Sequence, residues 1–340
     1  MSKSNGGKTT YVPTEFQFYS PKEKQSIGQF IHNSKDGTYF GRTPKSWGQL
    51  MLFYGIFYIV LAGLFTICLE TLFSTLSEKE PKWKLGESLI GTNPGMGYRP
   101  LTDEMDLGSV IKFHTQQNES KKKWINLLDD YMKDYNGSHV GKICGFNQTH
   151  HENDVCHVDI NQFGDCSSQK EYGYNNSRPC VFLKLNKIFG WLPEYYDDPV
   201  ELPEDMPAQL KAHIKDVKPL ERQQIWISCD GTNAADREHL GEVKFYPSQG
   251  FPAYYYPFIN QPGYLSPLIA VQFEKLPMNQ MVNIECRAWA KNIIYNGSIR
   301  DRKGSVTFQI LIDDTDEKKK SIDAPIKEIN STITTTEKSI

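Results

Sequence analysis

No cysteine occurs in the first 67 residues of this 340-residue chain, and no N-x-S/T acceptor pattern occurs before Asn118. The sequence also lacks a CxxC pair, a GxSxG elbow, an HExxH helix and a glycine-rich loop followed by a phosphate-binding lysine. Zinc-ribbon, serine-hydrolase, zinc-protease and P-loop chemistries therefore have nothing to stand on. The one glycine cluster, GTNPGMG, has no following helix pattern and no lysine in place. His114, His150, His151 and His157 match no familiar metal-ligand spacing, and the pairs Asp129-Asp130 and Asp197-Asp198 read as surface charge. A single DxD pattern, Asp314-Thr315-Asp316, sits in a charged tail without the α/β surroundings of a sugar-nucleotide domain. A type II glycosyltransferase is thus a weak rival, and no catalytic, cofactor or metal site is expected.

Charge and proline are missing in a different way from Leu50–Leu69, LMLFYGIFYIVLAGLFTICL, which Gln49 and Glu70 close on either side. Twenty helical residues span about 30 Å, the thickness of a bilayer's hydrocarbon core. A buried core helix seldom stays apolar on every face for five turns. About fifty polar residues precede the run, which excludes a cleaved signal peptide and points to a signal-anchor helix at 50–69. Lys35, Arg42 and Lys45 before it balance Lys79, Lys82 and Lys84 after it, so flanking charge does not orient it.

The two one-sided absences do. Apart from Cys68 inside the run, the cysteines are Cys144, Cys156, Cys166, Cys180, Cys229 and Cys286, all beyond it. An even six on one side implies disulfides in an oxidising compartment. The acceptor patterns Asn118, Asn136, Asn147, Asn175, Asn296 and Asn330 fall on the same side. We therefore expect a single-pass type II membrane protein, its amino terminus cytoplasmic and its carboxy-terminal bulk extracellular.

Along the chain, residues 1–49 carry seven Lys/Arg against three Asp/Glu and no apolar period, the texture of a solvated cytoplasmic tail. Residues 70–118, with Pro81, Pro94 and glycines, read as an extended stalk. In Glu119–Tyr135, Trp124, Leu127, Leu128, Tyr131 and Tyr135 recur at helical spacing. Five β-like runs follow: IWISC, EVKFY, LIAVQF, VNIECRAWA and SVTFQILI. In VNIECRAWA the alternation turns Cys286 inward, where it could bridge to Cys229 across sheets. These features predict a mainly β, immunoglobulin-like sandwich ectodomain over 119–312, with four cysteines in a looped region at 140–200 and a solvated tail at 313–340. The run FPAYYYPFINQPGYLSPLIAVQF, Phe251–Phe273, holds four prolines and cannot be one regular strand. Its aromatics serve core packing and a partner surface about equally well.

Taken together these residues resemble the β subunit of the sodium/potassium-transporting ATPase and its hydrogen/potassium relatives. The likeness runs through FGRT with Trp47, through FYxxFYxxLAGxF at Phe53–Phe65, and through PGMGYRP at Pro94–Pro100. It continues through YGY…PC…KLN at Tyr172–Asn186, GFPAYYYPF…YLSPLIAVQF at Gly250–Phe273, and IECRAWAKNI at Ile284–Ile293. Departures at Ile27, His32, Asn153, His157, Phe163 and Ser168, a short first disulfide loop and a longer tail point to a divergent invertebrate member. The resemblance implies a noncatalytic partner of a large ion-pumping α subunit, one that aids its folding and plasma-membrane delivery and tunes potassium handling. It pairs the cysteines as Cys144–Cys156, Cys166–Cys180 and Cys229–Cys286. It implies no nucleic acid, cofactor or small-molecule substrate, only the α subunit and the lipid bilayer as partners. Without a pump, the same topology would suit a surface adhesion or receptor protein.

Two contact zones are expected on that basis. Tyr54, Tyr58, Leu61 and Phe65, at spacings of four, three and four, form one stripe of the membrane helix, and Gly63 beside Ala62 would let backbones approach. The second zone is Tyr254, Tyr255, Tyr256, Tyr264 and Phe273 in the ectodomain.

Overall fold

The computed structural model describes residues 27–34, 36–102, 108–137, 141–148, 154–298 and 300–314. The chain divides between Leu76 and Ser77 into two compact units.

The first unit opens with a short helix α1 (Ile27–Ile31) and a two-stranded hairpin of β1 (His32–Asn33) and β2 (Thr38–Tyr39), then becomes one long helix α2 (Pro44–Ser74). Local chemistry sets where α2 begins. Thr43 is extended, and its hydroxyl accepts the Ser46 N–H at 3.4 Å, while Pro44 takes the first helical turn, where its missing N–H costs nothing. At the far end, the Thr71, Ser74 and Thr75 hydroxyls donate to carbonyls three or four residues back. The helix has 31 residues, about 46 Å, and so extends past the apolar run at both ends. None of its residues is buried, which is not how a core helix behaves.

The second unit is a two-sheet sandwich. One sheet orders β3 (Met96–Arg99), β5 (Cys180–Leu185), β9 (Ile269–Phe273) and β7 (Val243–Tyr246), all antiparallel. The other orders β4 (Val110–His114), β11 (Ser305–Asp313), β10 (Met281–Trp289), β6 (Gln224–Gly231) and β8 (Gly250–Pro252), with only the β4–β11 pair parallel. Phe308 of the second sheet meets Tyr98 and Phe273 of the first at centroid distances of 4.9 and 6.1 Å, at the heart of the core. Helix α3 (Asn118–Asn136) packs Trp124, Leu128, Met132 and Tyr135 against this core, and the Trp124 indole donates to the Lys112 carbonyl at 2.7 Å. A second apolar cluster lies on the outer face of the five-stranded sheet, where α4 (Ala208–Asp216) lays Leu210 and Ile214 over Trp226 and Trp289. A fifth helix, α5 (Ala234–Leu240), follows β6.

The alternation along β10 is as expected: Val282, Ile284, Cys286 and Ala288 are buried on one face. Three expectations need correction. Cys286 pairs directly opposite Cys229 in the antiparallel β6–β10 ladder, so their bridge joins neighbours within one sheet and not the two sheets. The stretch read as stalk supplies β3 and β4, both short edge strands, and the signal of β3 is masked by the Gly and Pro around it. The region read as looped contains β5, an inner strand of the first sheet. Its residues are buried almost throughout, so no alternation marks it. The expected tail beyond Asp314 lies outside the described residues.

Candidate partner-binding site

In α2 the aromatic pairs form two parallel ladders: Phe53 stacks on Phe57 at 6.3 Å, and Tyr54 on Tyr58 at 6.1 Å. Tyr54, Tyr58, Leu61 and Phe65 do share a stripe, and all four are exposed. The Thr66, Thr71 and Ser74 hydroxyls of the same helix are satisfied internally, as where Thr66 donates to the Ala62 carbonyl at 2.8 Å. The Tyr54 and Tyr58 phenols reach no hydrogen-bond partner among the described residues, since a tyrosine is too long and too far out to turn back on its own helix. Gly63 is misplaced in the expectation. It lies nine residues beyond Tyr54, about two and a half turns, and therefore faces away from the stripe. Ala62 stays nearer to it.

The FGRT…W signature has a local explanation that spacing alone did not reveal. Phe40 and Gly41 both have positive φ, 50° and 76°, and turn the chain so that Thr43 can cap α2. The Trp47 indole then donates to the Tyr39 carbonyl at 2.8 Å and ties the helix start to the hairpin. Three of the departures are absorbed locally: the His32 ring edges against Tyr39, Phe163 packs on Phe182, and the Ser168 hydroxyl donates to Asp129. Asn153 lies outside the described residues.

The second expected zone divides. Phe273 is 0 % exposed and buried between the sheets, so it cannot touch a partner. Its place in β9 makes it a core residue, and the apparent continuity with the preceding tyrosines is only sequential. Tyr256 packs on Trp191 at 5.8 Å with its hydroxyl buried and unpartnered. Tyr255 packs against Tyr254 with tilted rings at 4.8 Å and donates its phenol proton to the His157 carbonyl at 3.0 Å. Burial pushes the phenol pKa of Tyr254, Tyr255, Tyr256 and Tyr264 up. Tyr264, half-buried against Phe258 at 5.0 Å, and Tyr254 keep some surface.

Three disulfides are formed: Cys144–Cys156, Cys166–Cys180 and Cys229–Cys286. Cys68 is a free thiol on α2. Asn118, Asn136, Asn147 and Asn175 are exposed, Asn296 is half-buried, and Asn330 lies outside the described residues. No group of three or more His, Cys, Asp or Glu that could hold a metal occurs among the described residues. The ectodomain motifs lie at structural joints. Gly173, in YGY, has φ +75°, and a Cβ there would stand 2.1 Å from the Arg178 carbonyl oxygen, so only glycine fits. The neighbouring Tyr172 phenol donates to Asp129 of α3 at 2.8 Å.

The family model for the sodium/potassium ATPase beta chain matches residues 19–308. The chain belongs to that family. It is 56% identical over 315 residues to the sodium/potassium-transporting ATPase subunit beta-1 of Drosophila melanogaster, covering 92% of this chain and 100% of that protein. It is 44% identical to subunit beta-2 of the same fly, over 87% of this chain and 96% of the relative. Against subunit beta-2 of Homo sapiens the identity is 27%, over 86% and 99%. The likeness to the fly proteins agrees with the invertebrate cast of its departures.

Proposed function

We propose that this beta chain is the noncatalytic subunit of a sodium/potassium-transporting pump. It assists the folding and plasma-membrane delivery of the catalytic α subunit and modulates its potassium affinity. The observation that carries the reading is the tyrosine stripe of α2, whose phenols have no hydrogen-bond partner among the described residues and which lies on a helix that buries nothing. Within lipid, helices associate through packing and through polar groups finding partners, and a tyrosine hydroxyl near the middle of the span calls for an acceptor on another helix. Tyr54 is shallow enough to reach a headgroup belt, whereas Tyr58 is not. Because the chemistry belongs to the partner, this chain acts by differential binding. Contacts that differ between two pump conformations shift their populations by that difference.

The one-sided cysteines and acceptor asparagines support a cytoplasmic amino terminus and an extracellular ectodomain, with glycan on Asn118, Asn136, Asn147, Asn175, Asn296 and Asn330. Tyr254, Tyr255, Tyr256 and Tyr264 are all half-buried, and Tyr254 and Tyr264 are the two we propose for the partner, because Tyr255 commits its hydroxyl to the His157 carbonyl and the Tyr256 hydroxyl is buried. The domain scheme we propose keeps the tail at 1–49 and the span at 50–69, with the sandwich beginning at β3.

Affinity purification from native membranes tests the reading. A protein of the size of a P-type catalytic subunit should come down in equal amount with this chain. Recovery of the chain alone at the surface would favour the adhesion or receptor reading.

A further inference from the structure

A cavity of about 350 Å³ opens in the second unit between the segment that starts at Ser77 and the turn carrying Lys187, Phe189 and Phe258. Ser77, one of the lining residues, follows the last residue of α2 by three residues, so Ser77 itself lies within about 11 Å of the end of that helix. The cavity is lined by both signs of charge and by aromatic faces. Lys187 Nζ stands 5.2 Å from the Phe258 ring and 5.1 Å from the Tyr264 ring, and donates to the Tyr264 carbonyl at 3.3 Å. No carboxylate pairs with it among the described residues, and burial lowers its pKa. Lys84, by contrast, is paired with Glu80 and sits 4.9 Å from the Phe189 ring. Glu78 also lines the cavity. At the lip, Trp83 and Ile90 are 55% and 79% exposed. In water such a lip is a standing cost, and beside a bilayer a tryptophan is at home in the interface.

We propose that this cavity holds the headgroup of a zwitterionic phospholipid from the leaflet that α2 leaves on its carboxy-terminal side. Lys187 meets the phosphate. Glu78 meets the quaternary ammonium, which takes the aromatic faces of Trp83 and Phe189 in place of the Lys82 and Lys84 ammoniums that stand 5.4 and 4.9 Å from those rings. Trp83 and Ile90 rest at the boundary with the acyl chains. The inference requires α2 to cross the membrane and does not depend on the pump reading.

Acetylation of the full-length chain by a lysine-directed reagent, read by mass spectrometry at each lysine, tests it. The chain is held in dodecyl maltoside, a detergent without phosphate, and dioleoyl phosphatidylcholine is added. Lys187 should react about fivefold more slowly once the lipid reaches about four times its Kd. Lys215, exposed on α4, is the internal reference and should keep its rate. Inorganic phosphate without lipid should protect neither, and Trp83→Ala or Glu78→Gln should weaken the protection of Lys187. Four results would overturn the proposal. These are no protection of Lys187 by lipid, equal slowing of Lys187 and Lys215, full protection by inorganic phosphate alone, or protection that arises only with a co-purified catalytic subunit.

Discussion

Tyr54 and Tyr58 on α2 and Tyr254–Tyr256 before β9 are the two tyrosine-rich stretches of this chain, and they put the same side chain to opposite uses. The first pair is exposed, packed only on its own helix through Tyr54–Tyr58 stacking and edge contacts with Phe53 and Phe57, and without an acceptor among the described residues. The second set is folded inward: Tyr255 is bonded to the His157 carbonyl, and Tyr256 is packed on Trp191. Aromatic density in a sequence therefore does not by itself mark an interface, and neither does an unpartnered phenol, since the Tyr256 hydroxyl is unpartnered but buried. What sets the α2 pair apart is that its phenols are both exposed and without a hydrogen-bond partner among the described residues.

The largest effect that could break this comparison is in the core. Phe273→Ala should destabilise the ectodomain by about 3–5 kcal/mol, as truncation of a fully buried aromatic does. Tyr264→Phe, at the half-buried rim, should change the melting temperature little. Similar losses from both would put the two positions in one class, contrary to their burial.

Next in size is the Cys229–Cys286 bridge. Replacing both by alanine should cost about 2–5 kcal/mol and leave the protein immature in the secretory pathway. Glycan maturation and surface delivery at the wild-type level would show that the β6–β10 ladder needs no covalent support.

A smaller effect is set by pH. Burial raises the folded-state pKa of Tyr174, Tyr255 and Tyr256 above the ordinary value of 10.0. Their contribution to stability is complete below pH about 10 and is lost as pH rises beyond it, because the unfolded phenols then release protons that the folded ones retain. The ectodomain's melting temperature should fall above that pH, and phenolate absorbance should rise together with unfolding. A full phenolate signal from a still-folded ectodomain would mean that the second set is open to water.

How much of this was legible in the sequence follows from the same physics. Leu50–Leu69 announced a span because nothing in it was polar enough to end it, and β10 announced itself by alternation. β5 did not, since a strand buried along its whole length has no period, and β3 was hidden by the glycines and prolines around it. Phe273 was misassigned because sequence neighbours on either side of a strand's start can have opposite fates. The stripe of α2 was readable from spacing, whereas the turn away of Gly63 needed the helical phase to be followed through. The capping role of Thr43 and the Trp47–Tyr39 tie depended on hydrogen bonds that no periodicity records.

The smallest predicted effect bears most directly on the central claim. Tyr54→Phe with Tyr58→Phe removes two hydroxyls and no apolar surface, so assembly and surface delivery should be unchanged. A hydrogen bond between membrane helices is worth about 0.6 kcal/mol on average. The potassium concentration that half-activates the co-expressed pump should then shift by about twofold to threefold. An unaltered potassium activation curve, at equal surface expression, would contradict the assignment of this helix face to the catalytic subunit.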